Sequence, residues 1–272
     1  MKASSRSSAN RSSANRSSGS HSSSSHAPAG RSSSGQIRAA PTPFAALHRP
    51  LILGASIGHP SGMVGSIGPF VRLADGRTGF MAGSYVLAPA GSSIGDWIHQ
   101  PGPYDATVLT GATRIGRLAG IAPPLKEGLS YTAAAVVALD VPAEGNVIPE
   151  LAKPGAEAGR SIAGVSDAHL GDEVAFVGCT SGYSIGRVSV VALQLPVGGF
   201  TFADVIEIEA EDGHFSAPGD GGALLFRCSD MMAVGLLFAR TKRADGRSIS
   251  YALPLQPSLA ALGVSLKLGD GA

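Results

Sequence analysis

Val205-Ile206-Glu207-Ile208-Glu209-Ala210-Glu211 is the stretch that sets the character of this chain. Ile206, Ile208 and Ala210 alternate with Glu207, Glu209 and Glu211, and a period of two gives a strand one apolar face and one wet face. Working outward, short apolar runs of the same kind recur at Glu173–Gly178, Gly186–Leu195, Ala223–Cys228, Ala233–Ala239 and Ser248–Leu253. Earlier in the chain they occupy Ser66–Leu73, Gly79–Leu87 and Tyr131–Leu139, the first two flanking the turn Ala74-Asp75-Gly76 as in a hairpin. Residues 45–272 hold 34 of the 37 glycines and 15 of the 18 prolines. Ordinary helices of ~10–15 residues rarely fit between breakers so closely spaced, whereas strands of ~4–8 do, so the body is expected to be all-β. The Pro/Gly/Ala/Glu segment Glu150–Arg160 interrupts the series and reads as a linker between two β-domains. The expected organisation is a disordered arm at 1–44, a first barrel at 45–150, a linker at 151–163, a second barrel at 164–266 and a short tail at 267–272.

Composition excludes several classes. With 272 residues, of which 44% are hydrophobic, the chain can bury a sizeable core. No apolar run approaches the ~18–20 residues of a membrane helix, and no apolar stretch follows a basic start, so a cytoplasmic, non-membrane protein is expected. Two cysteines, Cys179 and Cys228, support neither a disulfide scaffold nor a four-cysteine zinc site and read as buried thiols on strands. His21 and His26 sit in the arm and the other five histidines show no ligand-like spacing, so neither metal nor cofactor is expected. No phosphate-binding glycine loop is present. Trp97 reads as ordinary core or rim content.

The arm is different in kind. Its first 36 residues include 16 serines, and Arg-Ser-Ser-Ala-Asn occurs at Arg6–Asn10 and again at Arg11–Asn15. Such a segment has almost nothing to bury. No acidic residue precedes Asp75, so residues 1–74 carry about +8 and the rest about −7. The arm reads as a solubilising extension, with contact to an anionic partner, phosphorylation or organelle targeting as the alternatives.

Several segments together resemble the trypsin-like (chymotrypsin-fold) serine proteases, bacterial intracellular-type members in particular. They are Gly54–His59 with Gly65–Gly68, Gly79–Leu87, Ile94–Asp96 with Gln100–Asp105, Gly178–Gly182 with Gly186–Val188, Phe215–Leu225, and Ala233–Ala239. The resemblance runs from about Leu51 to Leu266 and implies two antiparallel six-stranded β-barrels with a cleft between them. It also assigns the three reactive positions of the family. The histidine position falls on Tyr85, the aspartate position on Thr132 and the serine position on Gly221. Chemistry of this kind needs a hydroxyl nucleophile, an imidazole base and a carboxylate to hold the base. Glycine has no side chain to attack with, and tyrosine, with a pKa near ~10, is a poor base at neutral pH.

On this reading the chain is a pseudoprotease, not an enzyme, and binds a peptide or protein segment in a vestigial cleft. The backbone amides of Gly219 and Gly221 correspond to the family's oxyanion hole and need no side chain; the alternative is that these glycines only make a tight turn and that Tyr85 fills the old pocket. Asp220 between them reads as an exposed turn residue, the alternative being a group that orients a donor nearby. The alternative is an active serine-type endopeptidase with a rearranged or misaligned catalytic set. Ser84, Ser216, His214 and Asp212 lie in the relevant segments, although Ser84 is expected to point elsewhere and Ser216 stands five residues before Gly221. The observation that separates the two readings is a hydroxyl or thiol within ~3 Å of an imidazole beside the cleft.

Overall fold

The structure, a computed structural model, describes residues 42–106, 111–152 and 159–269. The expected arm therefore lies outside the described residues except for its last three, and residues 153–158 of the expected linker lie outside them too. Phe44, within the span assigned to the arm, is buried in the core.

The first half contains β1 (Ser56–Ile57), β2 (Gly65–Ser66), β3 (Phe70–Arg72), β4 (Thr78–Gly83), a helical turn α1 (Ser84–Leu87), β5 (Trp97–Gln100), β6 (Thr113–Ala122), β7 (Leu129–Ser130) and β8 (Ala134–Leu139). The second contains β9 (Gly164–Val165), β10 (Glu173–Gly178), β11 (Gly182–Val197), β12 (Phe200–Glu209), β13 (Leu224–Arg227), β14 (Met232–Lys242) and β15 (Ser248–Pro254), then helix α2 (Leu255–Leu262) and β16 (Ser265–Leu266).

Two β-barrels result. In the second half the order β11-β10-β13-β14-β15-β12 closes on itself because β11 also pairs with β12, a ring of six antiparallel strands; β7 and β9 add short parallel pairings at its margin. In the first half the order is β16-β3-β4-β8-β6-β5. The β1–β2 hairpin bridges its open side, Gly58 exchanging hydrogen bonds with His99 of β5, while the Gly68 N–H reaches Met81 O on β4 at 3.0 Å. Closure removes the free edges that would invite aggregation.

The period of two decides what each face buries. Val174, Phe176 and Leu225 point into the second barrel with Val188, Ile206, Ile208 and Val234. Their neighbours Ala175, Val177, Leu224 and Phe226 pack with Phe70, Phe80, Met81, Val136 and the rest of the first-barrel core, so one apolar cluster runs across the junction between barrels. The halves also exchange segments. β7 pairs with β12, and β16 returns to pair with β3. Asn146 locks that return: its amide oxygen accepts from Phe70 N–H at 2.7 Å, and its NH2 donates to Phe70 O and Lys267 O at 2.7 and 2.8 Å. No helix among the described residues is long and apolar enough to cross a membrane.

Two expectations change. The run 79–87 is a strand only to Gly83; Ser84–Leu87 turns into α1, which aims Tyr85 at the second barrel. β5 and β6 escape the sequence reading because β5 is short and β6 carries a bulge at Ile115 that breaks its alternation.

Candidate functional site

Two constellations meet where the β1–β2 hairpin crosses the turn before β13. The turn itself is held from both barrels. The Ser66 N–H donates to Gly221 O at 2.9 Å, and the Ser66 hydroxyl donates to Gly219 O at 3.0 Å while accepting the Cys179 N–H at 2.8 Å. Asp220 is 1% exposed, which corrects the expectation of an exposed turn residue. It is drawn inward by donors: Thr180 and Ser181 N–H at 2.9 and 3.0 Å, the Ser181 hydroxyl at 2.5 Å and Ala217 N–H at 2.8 Å. Burial pushes its carboxyl up from the usual range, and these hydrogen bonds act against that rise. Gly219, at φ +109°, occupies backbone space that side-chain-bearing residues rarely adopt. Among the described residues the amides of Gly219 and Gly221 have no acceptor.

Tyr85 reaches this turn. A Cβ added at Gly221 would lie 2.0 Å from the Tyr85 hydroxyl oxygen, so the phenol occupies the space a side chain at 221 would need. Burial, and then the Asp220 carboxylate, raise the Tyr85 pKa and keep the phenol neutral. The third expected position stands apart, since the Thr132 hydroxyl pairs with Ser258 Oγ on α2 at 2.8 Å. Ser84 is buried, and its N–H donates to Ala133 O at 2.8 Å, which fixes α1 against the chain entering β8. Ser216 shares a hydrogen bond with Ser250 at 2.7 Å, and His214 and Asp212 lie on an exposed turn. The buried Cys179 thiol donates to Gly219 O at 3.0 Å, and Cys228 is half-buried.

The second constellation lies at the tip of the same hairpin, and sequence reasoning missed it. His59 is buried, its N–H directed at Val86 O at 3.3 Å, next to Tyr85. Its Nδ1 faces Ser61, with the Ser61 hydroxyl at 2.8 Å and the Ser61 N–H donating at 3.1 Å. Its Nε2 faces Asp96 Oδ2 at 3.3 Å. An amide N–H can only donate, so Nδ1 accepts and the imidazole proton sits on Nε2, directed at the carboxylate. Asp96 accepts the Ser93 N–H at 2.7 Å, and this bond, reinforced by His59, holds its carboxyl below the usual carboxylate range. His99, on the adjoining strand, has its pKa lowered by burial, then by Arg114 and His59. Ser61 itself is exposed. A solvent-facing hydroxyl, an imidazole with a lone pair toward it and a charged aspartate behind form the order that activates a serine. The only local signal was a histidine and a serine two apart in a turn; Asp96 stands 37 residues on, where only barrel closure brings it near.

Among solved structures the chain is similar to Thermobifida fusca Protease A, at 20% identity and a TM-score of 0.56 over 80% of this chain and 99% of that one. It is similar to Nocardiopsis protease, at 17% and 0.58 over 80% and 98%, and to Cellulomonas bogoriensis chymotrypsin, at 18% and 0.55 over 80% and 99%. The double barrel is the trypsin-like serine protease fold. No protein-family model and no curated protein matches the chain. The expectation that the chain is not an enzyme is corrected by these likenesses: the structures that share its fold carry the names of proteases.

Proposed function

We propose that the chain is a serine-type peptidase with a rearranged catalytic set: Ser61 as nucleophile, His59 as base and Asp96 as the carboxylate that orients the base. The observation that carries this reading is the Ser61 hydroxyl 2.8 Å from His59 Nδ1, with Nε2 held 3.3 Å from Asp96. On this reading the substrate peptide binds beside the hairpin, with its scissile carbonyl at the exposed Ser61 hydroxyl. The Ser61 oxygen adds to the scissile carbonyl carbon as its proton passes to His59 Nδ1, and Asp96 stabilises the imidazolium. Collapse of the tetrahedral adduct breaks the C–N bond, the proton goes from Nδ1 to the leaving amine, and the acyl group stays on Ser61 until water, activated by the same nitrogen, releases it. The two ring nitrogens exchange the roles they have in the familiar triad.

The test is a fluorophosphonate probe on the full chain, read by intact mass and peptide mapping. Labelling at Ser61, lost in Ser61→Ala and in His59→Ala, is expected. Absence of labelling, or labelling that survives Ser61→Ala, overturns the assignment.

A further inference from the structure

The outer face of the β5–β6 hairpin carries charge that no carboxylate among the described residues pairs with. Trp97 pairs with Arg117 and His99 with Arg114 across the two strands. Residues three apart on a regular strand point to opposite faces, but the bulge at Ile115 inserts one residue and brings Arg114 and Arg117 to the same side. The Arg117 guanidinium carbon lies 3.7 Å from the centre of the Trp97 ring, and that of Arg114 4.8 Å. Both arginines are exposed, and among the described residues neither has a carboxylate partner. Two like charges gathered on one ring repel each other, and the cation–π contacts return only about 0.5–1 kcal/mol each at an exposed site. The N-terminal residues bring no carboxylate side chain, because no Asp or Glu precedes Asp75.

This face adjoins the Ser61–His59–Asp96 relay. Arg117 Nη1 donates to Gly95 O at 2.9 Å, one residue from Asp96, and the backbone of His99 is bridged to Gly58, one residue from His59. We propose that Arg114 and Arg117, stacked on Trp97, form a carboxylate-binding subsite that selects acidic peptide segments for the neighbouring relay. The proposal rests on the peptidase reading for its choice of a peptide. Guanidiniums bind carboxylates through paired N–H donors. The Trp97 ring is already stacked by guanidinium, which disfavours nucleic acid, whose single strands need open aromatic faces.

The experiment measures binding and cleavage separately. Fluorescein-labelled Glu/Ala and Gln/Ala peptides are titrated by anisotropy into the full chain carrying Ser61→Ala, with and without R114Q/R117Q. The Glu/Ala peptide is expected to bind at least about tenfold more tightly than the Gln/Ala peptide, with the preference falling to within about threefold in the double variant and weakening with salt. A perturbed Trp97 indole N–H signal on adding the Glu/Ala peptide to the unaltered protein checks the same contact without any substitution. Equal affinities, a preference that survives R114Q/R117Q, an unmoved Trp97 signal, or tighter arginine-dependent binding of an oligo-dT strand overturns the subsite. Arginine-dependent binding of the Glu/Ala peptide by a wild-type chain that cuts no peptide supports the subsite and sinks the peptidase reading alone.

Discussion

The turn around Gly221 and the tip of the β1–β2 hairpin are joined through Ser66 yet are built on opposite principles. At the turn the two polar side chains are enclosed: Asp220 is surrounded by donors, and the Tyr85 phenol fills the space beside Gly221. At the hairpin tip buried His59 stands between exposed Ser61 and the partly exposed, charged Asp96. A polar group enclosed by its own partners contributes rigidity, whereas a chain of polar groups ending at solvent can pass a proton outward. The first constellation supplies the frame and the second the reactive end.

Four measurements break or sharpen that contrast. Ser61→Ala is expected to lower peptide turnover by about 10³-fold or more, since nucleophile and base act as one unit, while leaving the denaturation midpoint nearly unchanged. Equal turnover in variant and parent would erase the distinction between the two regions. At the turn, Gly221→Ala sets a methyl against the Tyr85 hydroxyl and should cost about 1–3 kcal/mol in urea unfolding. Adding Tyr85→Phe removes the clashing oxygen and should recover most of that loss; a double variant no better than the single one would mean that the phenol does not fill this space.

Ser66→Ala tests the joint. It leaves the buried Cys179 N–H without its acceptor and should cost about 1–2 kcal/mol of stability, with a smaller fall in turnover as the hairpin loosens. The smallest effect is in pH dependence, where the two aspartates have opposite signs. Asp96, lowered in the folded state, contributes stability above the unfolded carboxylate pKa, and this is lost as pH falls through its folded value. Asp220, raised by burial, contributes fully below the unfolded value, and this is lost as pH rises through its folded value. Carboxyl NMR titration should therefore place Asp96 below the usual range and Asp220 above it.

The strands from Glu173 to Pro254 were readable because alternation survives wherever one face of a sheet is wet and the other dry, as in Val205–Glu211. The family resemblance assigns Tyr85 and Gly221 to two reactive positions, and the structure sets the Tyr85 hydroxyl beside Gly221. Thr132 was named with them, yet its hydroxyl turns to Ser258. Asp220 was misjudged because a turn between glycines reads as surface until donors from Thr180 and Ser181, some 40 residues earlier, close over it.

By itself the sequence determined the local matters: short strands, close turns, a division into two β-units and a basic, serine-rich N-terminal segment. All of these follow from periodicity and backbone freedom within a few residues. Only the tertiary structure decided which distant groups meet. Barrel closure sets Asp96 behind His59, and one bulged residue turns Arg114 and Arg117 onto the same tryptophan. Such meetings depend on register and closure, which arise from the packing of the whole chain and leave no mark in any short stretch of it.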